Sequence, residues 1–132
     1  MDYFKPQMEM RDVNAVSMLG LAHVGDGVYE LMTRALLCSQ GHTQVNDLHR
    51  LTVSRVNAPA QAAAARRIAD MLTEEEQAVY RRGRNAHVNS MPQQADGAEY
   101  HAATALEALF GWLYLLGRTE RLNQLFSVIS EA

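Results

Sequence analysis

The chain of 132 residues is one domain's worth of polypeptide, and 48% hydrophobic with 20% charged residues is a globular balance rather than a disordered or membrane-embedded one. A net charge of −3 argues against a uniformly basic nucleic-acid binder, yet residues 48–92 hold seven arginines against four acids, while the remainder holds five basic residues against eleven acids. The middle of the chain has the sign to face a polyanion, unless its arginines are simply solvated helix faces.

The opening MDYFKPQMEMRD has no basic segment followed by an apolar one, so it does not read as a secretory signal. From Ser17 to Cys38 the residues Leu19, Ala22, Tyr29, Leu36 and Leu37 recur at helical spacing, and Gly41 follows as a stop. Cys38 is the only cysteine, which excludes an internal disulfide and a cysteine-built metal site, and it reads as a small buried hydrophobe. Asn46 and Asp47 stand where an N-cap belongs, ahead of LHRLTVSRVNA, and Pro59 suits the first turn of PAQAAAARRIADML. Thr73 and Glu76 fit a capping box opening a further helix that runs out at Arg82 and Gly83. The segment RNAHVNSMPQQADG, residues 84–97, has no period and reads as a long loop of the kind that more often carries function than not. Helical pattern returns from Glu99 to Leu116, Gly117 suits its C-cap, and Thr119 can cap a last helix. No segment reads as a strand. The expectation is a single all-α domain over residues 1–132 with about six or seven helices. The most apolar stretch, ATALEALFGWLYLLG, is shorter than a bilayer crossing needs and carries Glu107, so a soluble, cytoplasmic protein with no membrane contact is expected.

Two carboxylates sit in apolar surroundings. Glu107 has Ala103, Thr104, Phe110 and Gly111 as helical neighbours, none of them a cation, and Asp26 lies between Gly25 and Gly27 inside an otherwise buried helix. Gly25 and Gly27 on one helix, with Ala108 and Gly111 on the other, would let the two backbones approach closely. Were the helices to cross there, Asp26 and Glu107 would share one spot, where two carboxylates either take up a proton or hold a cation. Hard oxygen ligands suit Mg²⁺, with Mn²⁺ as a substitute, and Glu30, four residues after Asp26, is a candidate further ligand or supporting group. The alternative is that Asp26 is a partly exposed acid and Glu107 pairs with an arginine such as Arg34. His23, three residues before Asp26, raises a His/Asp metal site, but no second histidine completes a zinc spacing.

Two polar groups are candidates for nucleic-acid contact. Arg81, Arg82, Arg84 and Asn85, in YRRGRNAH, stand at a helix end and the mouth of the long loop, suited to phosphate oxygens through forked donors, or equally to stabilising a helix C-terminus. Asn46, Asp47, His49 and Arg50, in VNDLHR, open another helix, where N–H groups receive phosphates, or simply cap it.

Four blocks in order, LAHVGDGVYE (21–30), VNDLHRLTVSRVNAPAQA (45–62), TEEEQAVYRRGRNAH (73–87) and YHAATALEALFGWLYLLGRTERL (100–122), resemble the bacterial Mini-III ribonucleases, small relatives of ribonuclease III that lack its double-stranded RNA-binding domain. The resemblance runs from about Leu19 to Leu125 and implies a ribonuclease III-like helical homodimer that cleaves double-stranded or structured RNA with Mg²⁺, leaving a 5′-phosphate and a 3′-hydroxyl. It further implies maturation of a large-subunit ribosomal RNA precursor; lack of an RNA-binding domain suggests weak affinity for free RNA, so a ribosomal protein or precursor particle is expected to present the substrate. Asp26 falls at the family's catalytic aspartate and Glu107 at its catalytic glutamate. Arg82, Arg84, Asn85 and His87 would contact RNA, with Asn46, His49 and Arg50 as secondary contacts, and His87 replaces the family's usual lysine. Ala22 and Thr104 stand where the fuller ribonuclease III signature has further acids, which thins the ligand set. The rival reading is a non-catalytic RNA-binding or ribosome-associated scaffold of the same fold, against which the retained Asp26 and Glu107 count.

Overall fold

The computed structural model describes residues 1–86 and 97–131, and among these every regular element is helical. The helices are α1 (Met10–Asn14), α2 (Met18–Ser39), α3 (Val45–Val56), α4 (Ala58–Ile68), α5 (Glu74–Arg84), α6 (Gly97–Leu115) and α7 (Thr119–Ser130), with a single 3-10 turn, Ala69–Met71, after α4. No helix among the described residues is long and apolar enough to cross a membrane.

The architecture is organised around α6. Its apolar residues run round the whole cylinder, so no face is suited to water and it lies in the middle of the bundle, with α2, α4, α5 and α7 packed on it. Leu106, Leu109, Phe110, Trp112 and Leu113 are fully buried there, against Leu21 and Tyr29 of α2, Ile68 of α4, Val79 of α5 and Leu125 of α7. Tyr29 meets Phe110 and Phe126 edge-on, with ring centroids 5.2 and 5.7 Å away.

Most element starts follow from local chemistry. Ser17 caps α2 by accepting from the Gly20 N–H, Asn57 caps α4 from Ala60, and Thr73 with Glu76 forms the reciprocal capping box of α5. Glu76 also reaches across to α7: Arg121 donates from Nε and Nη2 to its two oxygens at 2.8 and 2.7 Å and from Nη2 to the Met71 carbonyl. Burial raises the Glu76 carboxyl, but the Arg121 hydrogen bonds and charge, together with the Thr73 donors, outweigh it and hold the acid below its ordinary range. Gly117 ends α6 at φ +78°, and a side chain there would also strike the Pro6 carbonyl, because the N-terminal segment runs past this corner and bonds Met8 N–H to Leu115 O.

Several expectations need correction. Asn46 and Asp47 do not cap α3, which begins one residue earlier at Val45 behind Gln44, so both lie inside its first turn. Thr119 is the first helical residue of α7 rather than its cap, and α5 runs on to Arg84. Cys38 is exposed, since its position on α2 faces away from α6. The loop expected over 84–97 has only its first residues and the start of α6 within the described part, and His87 lies outside it.

The contact of α2 with α6 is backbone on backbone. A Cβ on Gly25 would stand 1.6 Å from the Glu107 carbonyl oxygen, and one on Gly111 would stand 2.0 Å from that of Leu21, whereas one on Gly27 would meet nothing within 4 Å. Gly27, expected at this crossing, therefore takes no part in it. Gly25→Ala is expected to destabilise the protein by more than about 3 kcal/mol, the upper end of ordinary overpacking, because neither backbone can yield. Gly27→Ala, two residues away, should gain roughly 0.5–1 kcal/mol from helix propensity. Denaturant unfolding midpoints of the two variants at one protein concentration check the pair.

Candidate active site

The α2–α6 crossing decides where two acidic side chains go. Glu107 lays its own carbonyl on Gly25, so the next residue of α2, Asp26, begins within reach of the Glu107 side chain. The Asp26 carboxyl lies close enough to the Glu107 carboxyl to bear directly on its ionisation. Asp26 stands on the exposed edge and Glu107 is half-buried, so the pair lines the boundary between core and solvent. Burial, then the hydrogen bond and negative charge of Asp26, push the Glu107 carboxyl from an ordinary 4.5 up to about 8, against a smaller opposing effect from Gln61.

Gln61 of α4 is the third side chain in contact with this pair. It is 1% exposed and donates from Nε2 to Glu107 Oε2 at 3.4 Å. Nothing in the sequence reading singled it out; the available signal was one amide within an alanine run. Tyr29 sits behind the pair, its hydroxyl pushed up to about 12 mainly by burial, with Arg55 opposing and Glu107 adding to the rise.

The other acids and histidines do not join. Glu30 forms an ion pair with Arg34 at 3.3 Å, which also removes Arg34 as a partner for Glu107. His23 is exposed on α2, and among the described residues no group of three or more His, Cys, Asp and Glu side chains could hold a metal ion. Thr104 turns its hydroxyl back onto the Tyr100 carbonyl at 3.1 Å, and Ala22 is buried.

The basic residues fall into separate groups. Arg82, Arg84 and Asn85 are exposed at the end of α5, and Arg81 and Arg84 share a groove of about 310 Å³ with Arg66 and Tyr80. None of these arginines is ion-paired among the described residues. The Tyr80 hydroxyl, raised by burial, is pulled back by the charges of Arg84 and Arg66. Asn46 and His49 are exposed on α3, where Arg50 is engaged by Asp47 at 3.4 Å; no contact joins them to Asp26 or Glu107. Arg55 and Arg67 face a smaller cavity of about 220 Å³ beside Tyr29.

Comparison with known proteins agrees with this geometry. Residues 19–118 match the family described as the ribonuclease III domain. A Mini-ribonuclease 3 of Symbiobacterium thermophilum is 45% identical over 124 residues, covering 92% of this chain and 95% of that protein. A Mini-ribonuclease 3 of Enterococcus faecalis is 42% identical over 120 residues, covering 89% and 91%. The crystal structure of a Fusobacterium nucleatum protein superposes with a TM-score of 0.82 at 30% identity, covering 92% of this chain and 98% of that one. With a carboxyl pair at the crossing of two helices and relatives matched along nearly their whole length, the chain belongs to the Mini-ribonuclease 3 branch of the ribonuclease III family.

Proposed function

We propose that this ribonuclease is a Mg²⁺-dependent endonuclease of double-stranded or structured RNA, that Asp26 and Glu107 are its catalytic residues, and that its substrate is a large-subunit ribosomal RNA precursor. The observation that carries the reading is the pair itself: two neighbouring carboxyl groups at the solvent edge of the core, with no basic side chain among the described residues in an ion pair with either. The donor set fits the cation. Mg²⁺ takes hard oxygen ligands, keeps several waters, and is commonly held by one or two carboxylates. Mn²⁺, with the same preference for oxygen, would substitute. Bound there, Mg²⁺ supplies positive charge that lowers the pKa of a coordinated water and offsets charge on the reacting phosphate, giving 5′-phosphate and 3′-hydroxyl ends.

The chain's own residues do the rest. Asp26 and Glu107 would hold the cation as carboxylates, Glu107 giving up the proton it favours in the cation's absence. Arg82, Arg84 and Asn85 bind backbone phosphates and position the duplex, with Asn46, His49 and Arg50 as further contacts on α3 and His87 as another. Duplex RNA is recognised mostly by shape and 2′-hydroxyls, so weak sequence preference is expected and a ribosomal protein presents the precursor. The reading includes a homodimer. An apolar hollow of about 420 Å³ lined by Val24, Val28, Leu31 and Met32 of α2, beneath the exposed Tyr3 and Phe4, supports a second copy packing on that face.

End-labelled precursor and a generic duplex, incubated with Mg²⁺, test the activity. Cleavage should fall by more than about 100-fold in Asp26→Asn and in Glu107→Gln, beyond what loss of a supporting group costs. RNA binding without cutting, indifferent to both substitutions, would establish the scaffold reading instead.

The raised Glu107 carboxyl also makes a stability prediction. The fold holds a proton that the unfolded chain has released between about 4.5 and about 8, so without metal the protein loses stability as pH rises through that window. Glu107→Gln keeps an uncharged group there and should flatten the decline, unfolding several degrees above the wild type at pH 8.5 in EDTA, given about 4 °C per kcal/mol for a domain of this size. Mg²⁺ should narrow that gap. Thermal unfolding across pH, with and without Mg²⁺, reads both effects.

A further inference from the structure

The inward face of α4 is built of alanine: Ala62, Ala64 and Ala65 are buried, each filling its place without a polar atom. Gln61 interrupts that face, and burying an amide costs about 1–3 kcal/mol unless hydrogen bonds offset it. A leucine would occupy the same space without that cost. The side chain makes one hydrogen bond, the Nε2 donation to Glu107 Oε2, and its Oε1 accepts none from the described protein. No polar side-chain atom among the described residues is both sealed from solvent and unpartnered, so this oxygen keeps a trace of solvent access. The neighbouring positions offer nothing equivalent, since the Thr104 hydroxyl is committed to the Tyr100 carbonyl and Ala22 has no polar atom.

We propose that Gln61 is a positioning residue of the cation site, holding the Glu107 carboxyl through Nε2 and presenting Oε1 as a neutral oxygen to the hydration shell of the bound cation; this rests on the reading that Asp26 and Glu107 hold Mg²⁺. The donation fixes one Glu107 oxygen and leaves the other to the cation. The residue acts on the reaction only through Glu107 and water.

The test is calorimetric titration of the RNA-free protein with Mg²⁺ alone, beside thermal unfolding in EDTA, for Gln61→Leu, Gln61→Met, Gln61→Glu and Glu107→Gln. In EDTA, Gln61→Leu should unfold at or above the wild-type temperature, because a desolvated amide has gone. Its Mg²⁺ affinity should fall about 10- to 100-fold, as loss of a supporting hydrogen bond at a metal site does. Gln61→Glu, which keeps an oxygen at the same reach but cannot donate to Glu107, should fall between Gln61→Leu and wild type. Gln61→Met decides the matter should leucine fail to fold. Unchanged Mg²⁺ affinity in Gln61→Leu or Gln61→Met, with or without a drop in metal-free stability, overturns the role of Gln61. Wild type that binds no Mg²⁺, or binds it as well as Glu107→Gln does, overturns the cation-site reading itself.

Discussion

Gly25 and Gly111 let α2 and α6 touch through their backbones, and the site depends on that contact more than on any single hydrogen bond. A carbonyl oxygen of each helix occupies the space where the other glycine's side chain would begin, so even a methyl group must push the helices apart. Pushing the helices apart would draw Asp26 away from Glu107, whose carboxyl groups influence one another only because the helices carrying them are this close. Close approach at small residues is ordinary helix packing. Here it also sets the distance between two acids from opposite ends of the chain.

The fold treats its two inner acids in opposite ways. Glu76 is buried among donors: Arg121 and the Thr73 backbone N–H both give hydrogen bonds to its carboxylate, and its charge is favoured despite desolvation. That arrangement ties α5, the turn after α4, and α7 together, and its contribution is present at neutral pH and lost on acidification. Glu107 has one amide donor and another carboxyl group, and it resists ionisation instead. Its contribution to stability runs the other way with pH, so the metal-free site is least comfortable at neutral and alkaline pH. A site that favours a proton over two bare charges is one that a divalent cation can relieve.

Helix boundaries were legible wherever a side chain made the boundary. The Thr73–Glu76 capping box and Gly117 can be read directly because their bonds close within a few residues. Asn46 and Asp47 misled for the same local reason: both are good capping residues, but the helix starts one residue earlier, at Val45 behind Gln44, which makes no side-chain cap. Asp26 and Glu107 stood out as acids without local partners, and the glycines suggested a crossing. That Gly25 and not Gly27 makes it was beyond reach, since which side of α2 faces α6 is decided by the whole buried set from Leu21 to Leu37. Gln61 was invisible because its partner lies on another helix.

Charge on this chain is arranged locally rather than in sum. Arg34, Arg50, Arg118 and Arg121 each meet a carboxylate, so they add little field at a distance. Arg66, Arg81, Arg82 and Arg84 do not among the described residues, and Arg66, Arg81 and Arg84 line one groove. The α5 dipole accounts for arginines at its C-terminus, mirrored by Glu74, Glu75 and Glu76 at the start. It does not account for Arg66, which belongs to α4 and faces the same groove. A chain of net charge −3 draws no polyanion by its total. Any attraction must come from such a patch, whose reach is about one Debye length, roughly 8 Å at physiological salt. Contact with RNA is therefore short-ranged, and the geometry of the patch relative to the carboxyl pair, rather than overall charge, governs how a duplex is seated.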